Sequence, residues 1–355
     1  MRSAATLLLA LASLALPASG CGSDDEPADE LPRAGEEGMR FGFSEDFAAG
    51  TGEIARMGAA GADVARRRLS WVEIERTPDS FDWTAYDAIY DELLAEGMRP
   101  LWLLVDAPCW SRLPDPTCVD PGPARAPDVG AAGDLASFLA EAAERYPEAA
   151  GFEIGNEVND ERFWTGGVNP NDYAALLGPA ADAIHAVDPE MPVLASGFAP
   201  FESAGPGRLP WSAFVRGIVN AGVDERIDGF AFHPYPPANA PDVPLAVEQE
   251  LAAFEDYVAA KSDEELPVWV TEVGVSTVGP TARTPEEQSA ELVGILQRLD
   301  ARGTPMTIVH RLEDGEPGVM PDFPLEPGFG VMLADGVTRK PAYCAIAALR
   351  GEPCD

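Results

Sequence analysis

Two glutamates that each close a short apolar run could supply acid–base and nucleophilic chemistry. Glu157 ends the segment FEIGNE, and Glu272 ends the segment VWVTE. Cleavage of a glycosidic bond needs such a pair, because one carboxylic acid protonates the leaving oxygen while one carboxylate attacks the anomeric carbon or activates water. A nearby like charge and partial burial would raise the pKa of one member and keep it protonated near neutral pH. Asn156 could donate a hydrogen bond to a sugar 2-hydroxyl.

The elements that must position these glutamates alternate between short apolar runs and amphipathic stretches from residue 39 onward. The predicted strands are Arg40–Ser44, Asp63–Trp71, Pro100–Asp106, Gly151–Gly155, Pro192–Gly197, Gly229–His233, Pro267–Thr271 and Pro305–His310. The predicted helices are Tyr86–Glu96, Gly133–Arg145, Asp172–Val187, Trp211–Asn220, Leu245–Lys261, Pro285–Ala301 and Pro341–Leu349. Strand followed by helix, repeated without a break in composition, predicts an α/β fold, a single (β/α)8 TIM barrel.

A doubly wound sheet would show the same alternation, so the placement of polar residues has to decide. The first strand is followed by SEDF (44–47) rather than by the glycine-rich loop of a nucleotide-binding sheet. The candidate polar residues also follow several different strands, as they do at the carboxyl-terminal face of barrel enzymes. The ends of strands four and seven lie opposite each other across a closed barrel, so Glu157 and Glu272 can converge.

The segments GNE (155–157) and TEVG (271–274) resemble clan A of the glycoside hydrolases. Members of that clan are retaining enzymes on this barrel, with Asn-Glu closing strand four and a nucleophilic Glu closing strand seven. The resemblance spans most of residues 39–349 and implies hydrolysis of a β-linked glycan by double displacement. It assigns Glu157 as general acid/base and Glu272 as nucleophile.

Further stretches are similar to families 39 and 5 of the clan, the second being cellulase-type. Arg66, five residues before Trp71, matches a strand-two arginine that supports the nucleophile. His233 and Tyr235 match a His-x-Tyr element after strand six, in which the aromatic hydroxyl orients the nucleophile. The segments that look like the clan's helix-two lead-in and closing segment are WVEIE (71–75), FDW (81–83), GVML (330–333) and KPAY (340–343).

The end of strand eight departs from the clan. Many members carry a tryptophan there as a platform for the sugar, whereas this chain reads TIVHRLED (307–314). His310 in this segment is as suited to the cleft wall as to the core. The aromatic side chains in predicted loops at the mouth could stack on sugar faces instead, namely Trp110, Phe163, Trp164 and Trp211. The substrate-binding candidates are Asn156, Arg66, His233, Tyr235, Trp71, Asp106, Trp110 and Trp164.

The chain is strongly acidic, with 24 Lys and Arg against 60 Asp and Glu and a formal net charge of −36 over 355 residues. This charge disfavours nucleic acid and anionic lipid headgroups as partners. The expected substrate is a neutral oligo- or polysaccharide. The alternative is that the charge serves solubility alone. We predict that the protein is a monomer.

Other classes of protein with this barrel have less support. A metal-dependent hydrolase of the amidohydrolase type would need several histidine ligands, but the chain has only 3 His and no His-x-His. No metal or cofactor is expected, because an acid, a nucleophile and water suffice. A catalytically inactive glycan-binding lipoprotein remains the alternative, although both glutamates are present.

The N-terminus has the pattern of an export signal. A basic start precedes an apolar run, Leu7–Leu16, that is too short to span a bilayer. The residues ASGC that follow resemble a bacterial lipobox, which predicts lipidation of Cys21. We therefore expect a signal peptide over 1–21, an acidic flexible tether over 22–38 and the catalytic domain over 39–355. The predicted location is extracytoplasmic, anchored at the cell surface by lipid or alternatively secreted.

The four remaining cysteines are even in number, which in an exported protein indicates disulfides. Three pairings are possible. Proximity in sequence favours Cys109 with Cys118 and Cys344 with Cys354. A zinc site is the competing interpretation, but these cysteines lack CxxC spacing.

Overall fold

Short runs rich in β-branched and aromatic residues form eight parallel strands in the computed structural model. They are β1 Arg40–Ser44, β2 Val64–Ser70, β3 Arg99–Val105, β4 Gly151–Asn156, β5 Val193–Phe198, β6 Gly229–Phe232, β7 Val268–Val273 and β8 Met306–His310. Each strand pairs with the next, and β8 pairs with β1, so the sheet closes. The predicted (β/α)8 barrel is confirmed.

The structure describes residues 38–112, 117–120, 125–165, 168–237, 240–316 and 323–354. The predicted signal peptide, Cys21 and almost all of the predicted tether lie outside these residues. Within them, the structure contains no helix with the length and apolar character needed to cross a membrane.

Helices follow the strands in chain order. Within the described residues they are α1 Glu53–Ala59, α2 Trp71–Ile74, α3 Thr84–Ala95, α4 Ala132–Arg145, α5 Pro170–Val187, α6 Trp211–Asn220, α7 Val243–Ala259, α8 Pro285–Arg302 and α9 Pro341–Arg350. Short 3-10 helices cover Cys109–Ser111, Val129–Ala131, Asp224–Arg226 and Glu326–Gly328.

The sequence determines the limits of α8 most clearly. The Thr284 hydroxyl accepts from the backbone N–H of Glu287, and the Thr284 N–H donates in return to the Glu287 carboxylate. Pro285 occupies a position that has no need of a free N–H. Gly303 ends the helix with a left-handed φ of 77°. The predicted segment Pro285–Ala301 therefore differs from α8 by one residue.

Two predicted boundaries differ from the structure in ways that bear on the site. The second strand ends at Ser70, and Trp71 begins the short helix α2 instead of ending the strand. The seventh strand continues past the predicted end at Thr271 to Val273, which places Glu272 inside β7. The short helix α1 had no sequence prediction, because its seven residues give too few turns for a period to show.

Side chains that point into the barrel form a layered interior. The lower layer is apolar, and its members are Val64, Leu101, Ala150, Leu194, Ala231, Trp269, Met306 and Ile308. Strand residues two positions further along point to the same side of the sheet. On this rule Arg66 follows Val64, His233 follows Ala231 and Thr271 follows Trp269, so the next layer, toward the mouth, is polar.

The part of the chain that the structure describes contains two disulfides. Cys109 bonds to Cys118, and Cys344 bonds to Cys354. The pairing favoured by sequence proximity is confirmed. The second bridge ties the last residues of the chain to α9.

Candidate active site

A buried ion pair between β2 and β4 forms the floor of the site. Arg66 Nε donates to Glu153 Oε2 at 2.8 Å, and Arg66 Nη2 donates to Glu153 Oε1 at 2.9 Å. Glu153 is fully buried and Arg66 is 2% exposed. This bidentate geometry is the strongest form of carboxylate–guanidinium contact. It also compensates two charges that would be very costly to bury alone.

The remaining donors of Arg66 connect this pair to other strands. Nη2 also donates to Asn156 Oδ1 at 2.8 Å, and Nη1 donates to Glu272 Oε2 at 3.2 Å. Burial alone would lower the pKa of Arg66, but the charges of Glu153 and Glu272 raise it above its ordinary value. Arg66 is therefore a permanent cation at the top of the barrel.

Gly197 on β5 leaves room for this arrangement. Its N–H donates to Glu153 Oε1 at 2.9 Å. A Cβ at this position would lie 2.1 Å from His233 Nε2 and 2.7 Å from Glu153 Oε1. Only glycine therefore allows the side chains of Glu153 and His233 to approach β5 so closely.

Glu157 lies just beyond β4 in a strained backbone conformation. Its φ of 41° falls in the left-handed region, which non-glycine residues rarely adopt. The side chain is largely buried, and its Oε1 lies 3.0 Å from Nδ1 of His233. Burial raises the pKa of Glu157, the hydrogen bond and charge of His233 lower it, and the negative charge of Glu272 raises it again. The net effect is a pKa above the ordinary glutamate value, which favours the protonated form.

Glu272 on β7 has the opposite environment. Its Oε1 accepts from the hydroxyl of Tyr235 at 2.8 Å, and its Oε2 faces Arg66. Burial would raise the pKa of Glu272, but the charges of His310, His233 and Arg66 and the Tyr235 hydrogen bond lower it to about 2. This carboxyl group is therefore ionised across the whole neutral range.

The two carboxyl groups converge across the mouth. One oxygen of Glu157, one oxygen of Glu272 and a ring nitrogen of His233 all lie within 4.8 Å of one another. Such a group could in principle hold a metal ion. However, His233 is fully buried with Nε2 against Thr271 Oγ1 at 3.2 Å and Nδ1 against Glu157. The atoms of this cluster are already engaged with protein groups, which suits proton transfer better than metal binding.

Two cavities flank the glutamate pair. One, of about 440 Å³, is lined mainly by apolar residues that follow β6, β7 and β8, including Pro236, Val275 and Phe329. The other, of about 380 Å³, extends toward the ends of β1, β2 and β3 and is lined largely by charged residues, including Arg68 and Asp106. Both cavities include Glu157 and Glu272, so a chain of sugars could pass over the pair.

An aromatic pair covers part of this cleft. The rings of Phe163, which follows β4, and Phe323, which follows β8, lie 5.4 Å apart. The guanidinium of Arg162 sits 4.9 Å from the centre of the Phe323 ring. Of the four aromatic residues predicted at the mouth, Phe163 is the one that lines both cavities.

Three tryptophans predicted to bind sugar do not line either cavity in the part of the chain that the structure describes. Trp71 is 1% exposed, stacks on Phe138 and donates Nε1–H to Glu75, so it is a core residue rather than a sugar ligand. Trp164 is also buried and packs edge-on against Tyr173. Trp110 is half-buried, and its Nε1–H donates to the backbone carbonyl of Glu75.

Trp211 is likewise buried in the core, between Phe254 and Tyr257. Trp211 is the first residue of α6, and its ring packs into the core that this helix covers. Sequence position near a predicted loop was therefore a poor guide for these tryptophans.

The other predicted residues do meet at the site. Arg66, Asn156, Glu157, His233, Tyr235 and Glu272 form one connected set of hydrogen bonds and close contacts. Asp106 lines the charged cavity and pairs with Arg68, with a left-handed φ of 57°.

Sequence reasoning missed Glu153, although a signal was present. A glutamate inside the apolar strand segment GFEIG points into the barrel if Gly151 does, and a buried carboxylate requires a cationic partner. Arg66 was the available cation of the same layer. Glu326 was also missed, because it follows β8 at a distance in sequence and reaches His310 only in the folded chain.

Solved glycoside hydrolases share this architecture at low sequence identity. A family 39 glycoside hydrolase from the gut symbiont Bacteroides cellulosilyticus is 22% identical with a TM-score of 0.65, over 92% of this chain and 65% of that one. A monomeric β-xylosidase from Caulobacter crescentus is 23% identical with a TM-score of 0.64, over 90% and 69% of the two chains. The GH5_18 enzyme from Streptomyces cattleya, solved in complex with Manβ1-4GlcNAc, is 17% identical with a TM-score of 0.66, over 88% and 80%.

The chain has the (β/α)8 barrel of family 39 and family 5 glycoside hydrolases. The (β/α)8 barrel implied by the sequence resemblance is thus confirmed. The chain spans slightly less than two thirds of the length of the Bacteroides family 39 enzyme, 65%. No protein-family model matches the sequence. No curated protein matches it either.

The substitution Glu153→Gln tests the role of the buried ion pair. It preserves shape but leaves the Arg66 charge without its main partner, so we expect a loss of about 3–5 kcal/mol in the free energy of unfolding. Asp182→Asn is the matched control, because Asp182 pairs with Arg226 at the surface and its loss should cost at most about 1 kcal/mol. Equal stability of Glu153→Gln and wild type in chemical denaturation would contradict this role.

Proposed function

We propose that this chain is a retaining glycoside hydrolase that cleaves a β-linked glycan, with Glu157 as general acid/base and Glu272 as nucleophile. The observation that carries the proposal is the convergence of two carboxyl groups at one mouth, with one oxygen of each within 4.8 Å of the other, in opposed electrostatic surroundings. Burial favours a protonated Glu157, while three cationic or histidine side chains and a tyrosine hydroxyl favour an ionised Glu272. Such a division of roles between two glutamates is what acid-assisted glycoside cleavage requires.

In the first step, an oxygen of Glu272 attacks the anomeric carbon while Glu157 transfers its proton to the departing glycosidic oxygen. The bond between the anomeric carbon and that oxygen breaks, and a glycosyl ester of Glu272 remains. In the second step, Glu157 takes a proton from water, the water oxygen attacks the anomeric carbon, and Glu272 leaves as a carboxylate. The sugar thus regains its original anomeric configuration.

The spacing of the carboxyl groups supports retention over inversion. Retaining enzymes place the two groups about 5–5.5 Å apart, while inverting enzymes leave about 6.5–9.5 Å for a water molecule. The nearest-lying oxygens of Glu157 and Glu272 fall within 4.8 Å here, in line with direct attack by Glu272.

The neighbouring groups have roles that follow from their contacts. Tyr235 and Arg66 each hold one oxygen of Glu272, which fixes the direction of attack. His233 contacts Glu157 through Nδ1 and can orient its carboxyl group toward the leaving oxygen. Asn156 accepts from Arg66 through Oδ1, so its amide nitrogen is directed elsewhere and can donate to a sugar 2-hydroxyl.

We propose the substrate only as a class, a neutral β-linked glycan. The similar structures include a β-xylosidase and an exo-β-1,4-mannosidase, both of which act on neutral β-linked sugars. The strong negative charge of this chain favours a neutral glycan in the same way.

We further propose that the enzyme acts as a monomer and is attached to the membrane through lipid on Cys21. The two disulfides favour a location outside the cytoplasm.

The first experiment measures product release by mass spectrometry from a panel of neutral and acidic β-glycans. Wild type and the exposed control Glu225→Ala should release oligosaccharides or single sugars from one class of glycan. Glu272→Ala should fall to background, because no nucleophile remains. Glu157→Ala should lose about 10²–10⁴-fold in rate on natural glycans, yet retain much more of its rate of ester formation on aryl glycosides whose leaving group needs no proton.

Several results would contradict the proposal. Release of product by Glu272→Ala at the wild-type rate would remove Glu272 from the mechanism. Binding of one glycan without cleavage of any would instead indicate the inactive glycan-binding protein.

The pH dependence of kcat/KM should report the two ionisations. The active form has Glu272 ionised and Glu157 protonated, so activity falls at low pH as Glu272 gains a proton and at high pH as Glu157 loses one. The pKa of Glu272, about 2, places the acid limb below the ordinary glutamate range. The raised pKa of Glu157 places the alkaline limb above the ordinary value of about 4.3.

Glu157→Gln separates the two limbs. Wild type on a glycan whose leaving oxygen must be protonated should show both limbs, whereas Glu157→Gln on an aryl glycoside that needs no protonation should keep the acid limb and lose the alkaline limb. An alkaline limb that is the same in wild type and Glu157→Gln would show that another group controls it.

A further inference from the structure

The end of β8 contains a histidine where an aromatic platform was expected from the clan. His310 Nε2–H donates to Glu326 Oε1 at 2.9 Å, and the ring packs edge-on against Phe329 with centroids 5.3 Å apart. These two contacts fix the ring. Its other nitrogen, Nδ1, is buried and has no hydrogen-bond partner within the described residues.

That unpartnered nitrogen faces the proposed nucleophile. His310 Nδ1 lies 3.7 Å from Glu272 Oε2, which is too long for a hydrogen bond and close enough for a strong charge interaction. Arg66 Nη1 approaches the same oxygen at 3.2 Å, while Tyr235 holds Oε1. Two cationic groups can therefore act on Oε2 from β2 and from β8.

The charges around His310 favour its protonated form. Glu272 faces it from β7, and Glu326 faces it from the 3-10 helix Glu326–Gly328. Arg311 is the opposing cation, and its Nη2 donates to Glu45 at 2.8 Å. Burial lowers the pKa of His310, but Glu272 and Glu326 together raise it to about 9.

We propose that His310 is a positioning residue that holds the charge of Glu272 and stabilises this carboxylate as it leaves the glycosyl ester. The inference rests on the proposed function and assigns His310 mainly to its second step. In that step the bond between the anomeric carbon and the Glu272 oxygen breaks, and both electrons of the bond return to Glu272. A cation beside the departing carboxylate lowers the energy of this step, and a tryptophan platform would supply no such charge.

The same cation makes Glu272 a weaker base and hence a weaker nucleophile. Loss of His310 should therefore affect the two steps differently. Ester formation should not slow, since Glu272 without this cation is a stronger nucleophile and still ionised at neutral pH. Ester breakdown should become slower, since the departing carboxylate loses a stabilising charge.

His310→Asn and His310→Gln test the inference, because both replace the ring by a neutral polar side chain. His185→Asn is the matched control, since His185 also pairs with a carboxylate, Asp228, at 3.0 Å. With an activated aryl glycoside, we expect kcat of the His310 variants to fall about tenfold. This is the effect of stabilising the departing Glu272 carboxylate less, by an amount equal to about one unit of its pKa. We expect kcat/KM at neutral pH to change less, and a burst of phenol to mark accumulation of the ester.

A second measurement needs no turnover. The side-chain carboxyl resonance of Glu272, in protein labelled with ¹³C-glutamate and assigned through Glu272→Gln, can be titrated by NMR. Loss of His310 should raise the pKa of Glu272 by about one unit or more, and His185→Asn should leave it unchanged. Thermal unfolding of each variant shows whether it is folded.

The two measurements separate the possible failures. An unchanged Glu272 titration in both folded His310 variants would overturn the inference. So would equal losses in kcat and kcat/KM without a burst. A chain that cleaves no glycoside would overturn the proposed function, and the titration would still decide whether His310 controls the charge of Glu272.

Discussion

The permanent charge of Arg66 is the interaction on which the rest of the site depends. It lies buried at the top of the barrel and is compensated by Glu153, which is itself fully buried. From this fixed position Arg66 reaches Asn156 on β4 and Glu272 on β7. A buried cation that holds groups from two other strands makes the positions of these groups nearly independent of solvent.

This arrangement explains how two glutamates at one mouth can differ in charge. Cationic groups and the Tyr235 hydroxyl lower the pKa of Glu272. Burial raises the pKa of Glu157 by more than its contact with His233 lowers it. The repulsion between them then reinforces the difference, because an ionised Glu272 favours a protonated Glu157. Glu157 is held in a left-handed backbone conformation that the surrounding barrel must stabilise. Such strain is common at functional sites, where a side chain has to point in one particular direction.

Much of this fold could be predicted from the sequence, because strand and helix periods alternate clearly and the polar residues follow the strands. Glu157 and Glu272 could be identified because each closes an apolar run. Glu153 was missed since its partner is distant in sequence, and only closure of the barrel brings Arg66 to it. Trp71 was misassigned because burial depends on how α2 packs against Phe138, which no local pattern reveals.

A covalent bond between Glu272 and the sugar distinguishes the proposed mechanism from its alternatives, and trapping can capture that bond. A 2-deoxy-2-fluoro glycoside with a good leaving group, matched to the sugar that the enzyme cleaves, slows ester breakdown by destabilising its oxocarbenium-like transition state. We expect intact-protein mass spectrometry to show one added glycosyl unit and peptide mapping to place it on Glu272. An adduct on another residue, or turnover of the parent glycoside with no adduct on Glu272, would show that Glu272 is not the nucleophile.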